Sequence, residues 1–140
     1  MRIKFKPIAA IVVFLLLTIN LSIQGCVGKD RVFKDLSPRE AFSIIQKNRG
    51  NPNFVILDVR TPQEFGEGHL EHAINLDFHD KNFRRELSRL DRSKIYLVYC
   101  QVGIRSEKAL EIMKEINFKR GYHLPAGILG WEEEGLPLKK

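Results

Sequence analysis

Cys100 is the residue in this chain best placed to do chemistry. It follows Ile95-Tyr96-Leu97-Val98-Tyr99 and opens the run Cys100-Gln101-Val102-Gly103-Ile104-Arg105-Ser106. A thiolate is the nucleophilic form of sulfur, and a free cysteine with a pKa of about 8.5 needs its anion stabilised to act at neutral pH. A helix start supplies such help, through unpaired backbone N–H groups and the positive end of a dipole. The dipole contributes only about 0.3–1 kcal/mol, whereas one pKa unit is worth about 1.4 kcal/mol. Several amides of the turn must therefore also point at the sulfur, with Arg105 as an expected helper. Gly103 lets the turn close tightly enough for that.

The elements that must hold this turn are legible on either side of it. The apolar run before Cys100 reads as a strand buried on both faces, as a parallel sheet requires. Ser106 to Ile116 has apolar residues at helical spacing. Cys100 thus sits where a strand ends and a helix begins, the edge at which open α/β sheets bind ligands. Further strands are expected at Val32–Lys34, Asn53–Asp58, Ala73–Leu76 and Tyr122–Leu124. Ser37-Pro38-Arg39-Glu40 and Thr61-Pro62-Gln63-Glu64 are capping boxes with proline at the first helical position, each opening a helix. Phe83–Leu90 reads as an amphipathic helix and Ile128–Glu133 as a final helical turn, with Trp131, Phe54 and Phe118 as packing residues. Strands alternating with helices predict an α/β fold: a mostly parallel five-stranded sheet with right-handed crossovers and helices on both faces.

The Cys100–Ser106 loop resembles the active loop of rhodanese-family sulfurtransferases, whose single-domain members carry C-x-x-G-x-R-S. Two other stretches carry the same resemblance. Asp58-Val59-Arg60 through Glu64-Phe65 to Gly68-His69-Leu70, followed by Ala73-Ile74-Asn75, is similar to the family's upstream motif. Gly127-Ile128-Leu129-Gly130-Trp131 and Gly135-Leu136-Pro137 are similar to its closing one. The resemblance implies a rhodanese-like domain over residues 33–138. It also implies sulfane-sulfur transfer: Cys100 takes sulfur from a donor such as thiosulfate, a polysulfide or a persulfide, then passes it to a thiol or cyanide. Residues Gln101, Val102, Gly103, Ile104, Arg105 and Ser106 would cradle the persulfide, with no metal or organic cofactor. Asp58, Arg60 and His69 would support the site. Asp58 could pair with Arg105 to brace the loop, Arg60 with Glu64, and His69 could hold its own loop by a hydrogen bond. His72 departs from the family, standing where relatives commonly have glycine, and His79 and His123 carry no signal. Neutral Gln101 and apolar Val102 also depart, since many thiosulfate-using relatives have a cation and a hydroxyl there. Weak thiosulfate use and better polysulfide or persulfide use are therefore expected.

The N-terminus is of different material. Arg2, Lys4 and Lys6 precede the apolar stretch Ile8–Ile23, the layout of a secretory signal. Ile23-Gln24-Gly25-Cys26 resembles a bacterial lipoprotein cleavage box. The expected organisation is a signal segment over 1–25, a lipidated Cys26, a linker over 26–32, and a domain facing outward from the cytoplasm in the cell envelope. The competing readings are an uncleaved signal that anchors the domain to the membrane and a non-lipidated cleavage near Gly25. Of the net charge of +6, three units belong to those N-terminal cations, so the remainder carries +3. No basic cluster interleaves with aromatics, which leaves nucleic acid without support as a partner. Two cysteines and four scattered histidines provide no zinc spacing.

Two other classes share features of the loop. Phosphotyrosine-type phosphatases place five residues between cysteine and arginine to ring a phosphate, and here there are four. A non-enzymatic envelope module that binds sulfur species or a partner would also use this fold.

Overall fold

The computed structural model describes residues 31–140. The expected signal segment, Cys26 and the linker up to residue 30 lie outside the described residues. Five strands, β1 (Val32–Asp35), β2 (Phe54–Asp58), β3 (Ala73–Asn75), β4 (Ile95–Tyr99) and β5 (Arg120–His123), form one sheet. Its order is β1-β5-β4-β2-β3 and every pairing is parallel. Between them run α1 (Pro38–Lys47), α2 (Pro62–Glu67), α3 (Phe83–Ser88), α4 (Ile104–Glu115) and α5 (Gly127–Glu133).

Both expected capping boxes form. Ser37 accepts from the Glu40 N–H and Thr61 from the Glu64 N–H, each glutamate returning the bond to its cap's backbone. One difference matters for the site. Helix α4 begins two residues earlier than its apolar spacing predicts, so Arg105 and Ser106 lie in its first turn. The spacing locates where a helix buries its face, and that lies downstream of where its backbone turn starts.

Helices cover both sheet faces, giving two cores. Leu57, Val59, Tyr96, Val98, Cys100, Met113 and Phe118 pack on the α3/α4 side. Ile56, Leu97, Tyr99, Leu124, Ile128 and Trp131 pack on the other, with Phe54 against them. Trp131, Phe54 and Phe118 are all packing residues, as expected, but Phe118 serves the other core. It packs on Tyr96, ring centroids 5.2 Å apart, in the opposite layer.

The register sets the site. Asp35 pairs with His123, His123 with Val98, Asp58 with Tyr99, and Asn75 with Asp58. The carboxyl ends of all five strands thus present Asp35, His123, Tyr99–Cys100, Asp58 and Asn75 in one row. Partners in register share a face and successive residues alternate. His123, level with Val98, shares the Cys100 face, whereas Asp58, level with Tyr99, takes the opposite one.

Candidate active site

The loop after β4 is fastened before its chemistry begins. The Ile128 and Leu129 N–H groups, opening α5, donate to the carbonyls of Cys100 (2.9 Å) and Gln101 (3.3 Å). Two glycines make this approach possible. Gly103 has φ +91 and a Cβ there would collide with the Pro125 carbonyl. Gly127 has φ +60 and a Cβ would collide with that of Gln101. Both conformations are costly for any residue with a side chain.

Gly103 also caps α4, and no side chain caps that helix. Its first-turn N–H groups stay available for another acceptor, and that acceptor is sulfur. The Gly103 N–H donates to Cys100 Sγ at 3.2 Å, and the Ser106 hydroxyl lies 3.5 Å from it. Burial works against the thiolate: Cys100 is 1% exposed. The Ser106 hydroxyl and the N–H groups of Ser106, Val102 and Arg105 outweigh that burial and hold the thiol below its ordinary value. Among the described residues Cys100 is the only cysteine, and it is free.

The supporting charges exchange the partners expected of them. Asp58 does not reach Arg105, because the sheet register turns it to the face opposite Cys100. It binds Arg60 instead, with Nη2 at 2.7 Å and Nε at 3.1 Å from its carboxylate, and also accepts the Arg60 N–H at 2.8 Å. Arg60 is likewise not paired with Glu64. Its Nη2 donates to the Gly68 carbonyl (2.6 Å), its guanidinium lies 5.8 Å from the Tyr99 ring centroid, and Nη1 stands 3.5 Å from Gln101 Oε1. Arg105 pairs with Glu64 through two bonds of 2.8 and 2.7 Å. The Glu64 carboxyl is held down to about 2, chiefly by that guanidinium and then by Thr61. Arg105 is kept charged first by Glu64, with the Cys100 sulfur a smaller contributor.

His69 braces its loop. Its Nδ1–H donates to the Phe65 carbonyl at 3.0 Å and its ring stacks on Phe65 at 3.9 Å. His72 is exposed, with φ +63, a left-handed backbone that glycine adopts more readily than a residue with a side chain.

His123 is the residue that sequence reasoning passed over. Its Nε2 lies 3.0 Å from Ser106 Oγ and its Nδ1 lies 3.1 Å from Asp35 Oδ1. A signal existed, since β5 ends on the same sheet edge as β2. The strand was expected to run to Leu124, which hid its terminal position. Among the described residues no group of histidines, cysteines and carboxylates could hold a metal ion.

The site is thus a lone cysteine among the described residues, set in an amide-lined βα turn at the edge of a parallel α/β sheet. Residues 42–134 match the family described as the rhodanese-like domain. The chain belongs to this family. It is 27% identical to a rhodanese-related protein from Thermoplasma volcanium, with a TM-score of 0.63 over 76% of this chain and 97% of that one. A rhodanese-like domain protein from Staphylococcus aureus gives 25% identity and a TM-score of 0.60, covering 76% and 99%. Among curated proteins, the tRNA uridine(34) hydroxylase of Yersinia pestis is 35% identical over 99 residues, 64% of this chain. That alignment spans 27% of the hydroxylase's length.

Proposed function

We propose that this protein is a sulfurtransferase working through a Cys100 persulfide. One observation carries the reading: a buried sulfur that accepts an N–H bond from Gly103, faces the Ser106 hydroxyl and is held below its ordinary pKa. The thiolate attacks the terminal sulfur of a donor R–S–S⁻, forming Cys100–S–S⁻ and releasing RS⁻. An acceptor thiolate then attacks that outer sulfur, leaving as its own persulfide and restoring the Cys100 thiolate. Cyanide would leave as thiocyanate. The same amides that hold the thiolate stabilise the persulfide anion, so no step needs a charge supplied from outside.

The donor we favour is a polysulfide or a thiol persulfide. Both arginines tied to the loop are already matched, Arg60 by Asp58 and Arg105 by Glu64, leaving neither free for a dianion such as thiosulfate. The side chains standing out of the loop are apolar, Val102 at 50% and Ile104 at 60% exposure. The Yersinia relatives act, by their name, on a tRNA uridine. A chain with no basic strip interleaved with aromatics gives that substrate little support here.

The test incubates the full chain in detergent with polysulfide or thiosulfate and reads the mass of the Cys100 peptide. A gain of one sulfur with polysulfide, absent in Cys100→Ser, is expected. Gln101→Arg should raise thiosulfate kcat/KM about tenfold or more, the worth of one charge-assisted bond. Equal thiosulfate rates in the two proteins would refute the donor preference. The burial of Cys100 favours a second reading, a sulfur-binding module with slow turnover. Persulfide that forms and persists with excess thiol acceptor would select it. We also propose that Cys26 carries a lipid that holds the domain on the outer side of a membrane. Fatty-acid labelling that survives Cys26→Ser would count against that anchor.

A further inference from the structure

Ser106 is fully buried, and its one hydroxyl proton has three acceptors within reach. They are the Gly103 carbonyl at 2.8 Å, His123 Nε2 at 3.0 Å and Cys100 Sγ at 3.5 Å. Where that proton goes decides whether the sulfur keeps a donor. A carbonyl has two lone pairs, and the Glu107 N–H at 2.9 Å takes one of those on Gly103. His123 Nε2 stands 3.2 Å from the same oxygen, while its Nδ1 faces Asp35 Oδ1.

A neutral imidazole, with one N–H, satisfies only one of these two oxygens. With its proton on Nδ1 towards Asp35, the bare Nε2 becomes an acceptor for Ser106 and draws the hydroxyl from the sulfur. A ring protonated on both nitrogens donates to Asp35 and to Gly103. The second lone pair is then filled, and the Ser106 proton is left with sulfur.

We propose that His123 is a positioning residue of the sulfur site: held by Asp35 across Nδ1 and donating from Nε2 to the Gly103 carbonyl, it turns the Ser106 hydroxyl onto Cys100. The proposal rests on the sulfur-transfer reading above. It assigns a role to Asp35 as well, since that carboxylate fixes the ring through Nδ1. The other ionisable groups around the ring are Lys34 on β1, Glu107, Glu111 and Lys114 on α4, and Cys100 beyond Ser106.

The test follows the rate of Cys100 alkylation by iodoacetamide against pH, read by peptide mass in the full chain. His123→Ala should raise the midpoint of Cys100 ionisation by about one unit, a tenfold loss of thiolate below it. His123→Gln, whose amide can donate to the Gly103 carbonyl at any pH, should restore most of that. In a Ser106→Ala background His123→Ala should shift nothing further, because no hydroxyl remains to be turned. Should His123→Ala fail to fold, Asp35→Asn, altering a side chain 75% exposed, carries the same comparison with a smaller rise expected. An unchanged midpoint, or a shift undiminished without Ser106, would overturn the proposal. The readout needs no sulfur donor. Coupling seen in a chain that moves no sulfur would sink the sulfurtransferase reading alone, and sulfur transfer without coupling would sink this one alone.

Discussion

Around Cys100 the formal charges cancel in pairs, Arg60 with Asp58 and Arg105 with Glu64, so the sulfur is stabilised by dipoles rather than by a free cation. Glu64 serves two masters. One of its oxygens completes the Thr61 capping box at 2.9 Å and also accepts from Arg105 at 2.8 Å. Because its carboxyl sits at about 2 in the fold against an ordinary 4.5, its contribution to stability is fully present above 4.5 and is lost as pH falls through about 2. Glu64→Gln should therefore lower stability by about 1–2 kcal/mol near neutrality, a figure reduced for solvent screening. The deficit should close across that acid window. Urea midpoints of both proteins measured from neutral pH downward check it, and a deficit constant with pH would contradict it.

At the scale of elements, the site is a turn squeezed between two helix starts. The opening of α5 holds the loop's carbonyls while the first turn of α4 leaves its N–H groups to the sulfur. Gly103→Ala meets both a left-handed backbone and the Pro125 carbonyl. A loss of about 1–3 kcal/mol follows from the backbone strain alone, with Cys100 ionisation displaced upward. Thermal unfolding together with the alkylation profile would expose a variant that loses neither. Much of this was legible beforehand. The apolar run ending at Cys100 and the single glycine located the turn, and the proline-led capping boxes located α1 and α2. Side-chain partners were not legible, because they depend on strand register. Asp58 and Cys100 sit at neighbouring strand ends, yet alternation sends them to opposite faces, and no spacing along one segment reports that. His123 was hidden first by a strand read one residue too far and then by register: its value comes from being level with Val98 and Asp35, on two strands that sequence distance does not connect.

At the scale of the whole molecule, the sheet is sealed on both sides, and the site's supports reach the last residues. Lys139 exchanges two backbone bonds with His69, at 2.9 and 2.8 Å, and the Trp131 indole N–H donates to the Pro137 carbonyl at 3.0 Å. Gly68, just before His69, holds Arg60 through its carbonyl. Deleting residues 138–140 should leave the fold intact but lower turnover, by up to about a hundredfold if the support shifts by about 1 Å. Persulfide formation rates on the shortened chain measure this, and an unchanged rate would remove the tail from the site's support. Among the described residues no helix is long and apolar enough to cross a membrane.

The Lys139–His69 clasp has a practical corollary. An affinity tag or fusion partner appended after Lys140 would pull on the tether of the Arg60 guanidinium, so labels for binding or imaging work belong on the far side of the molecule.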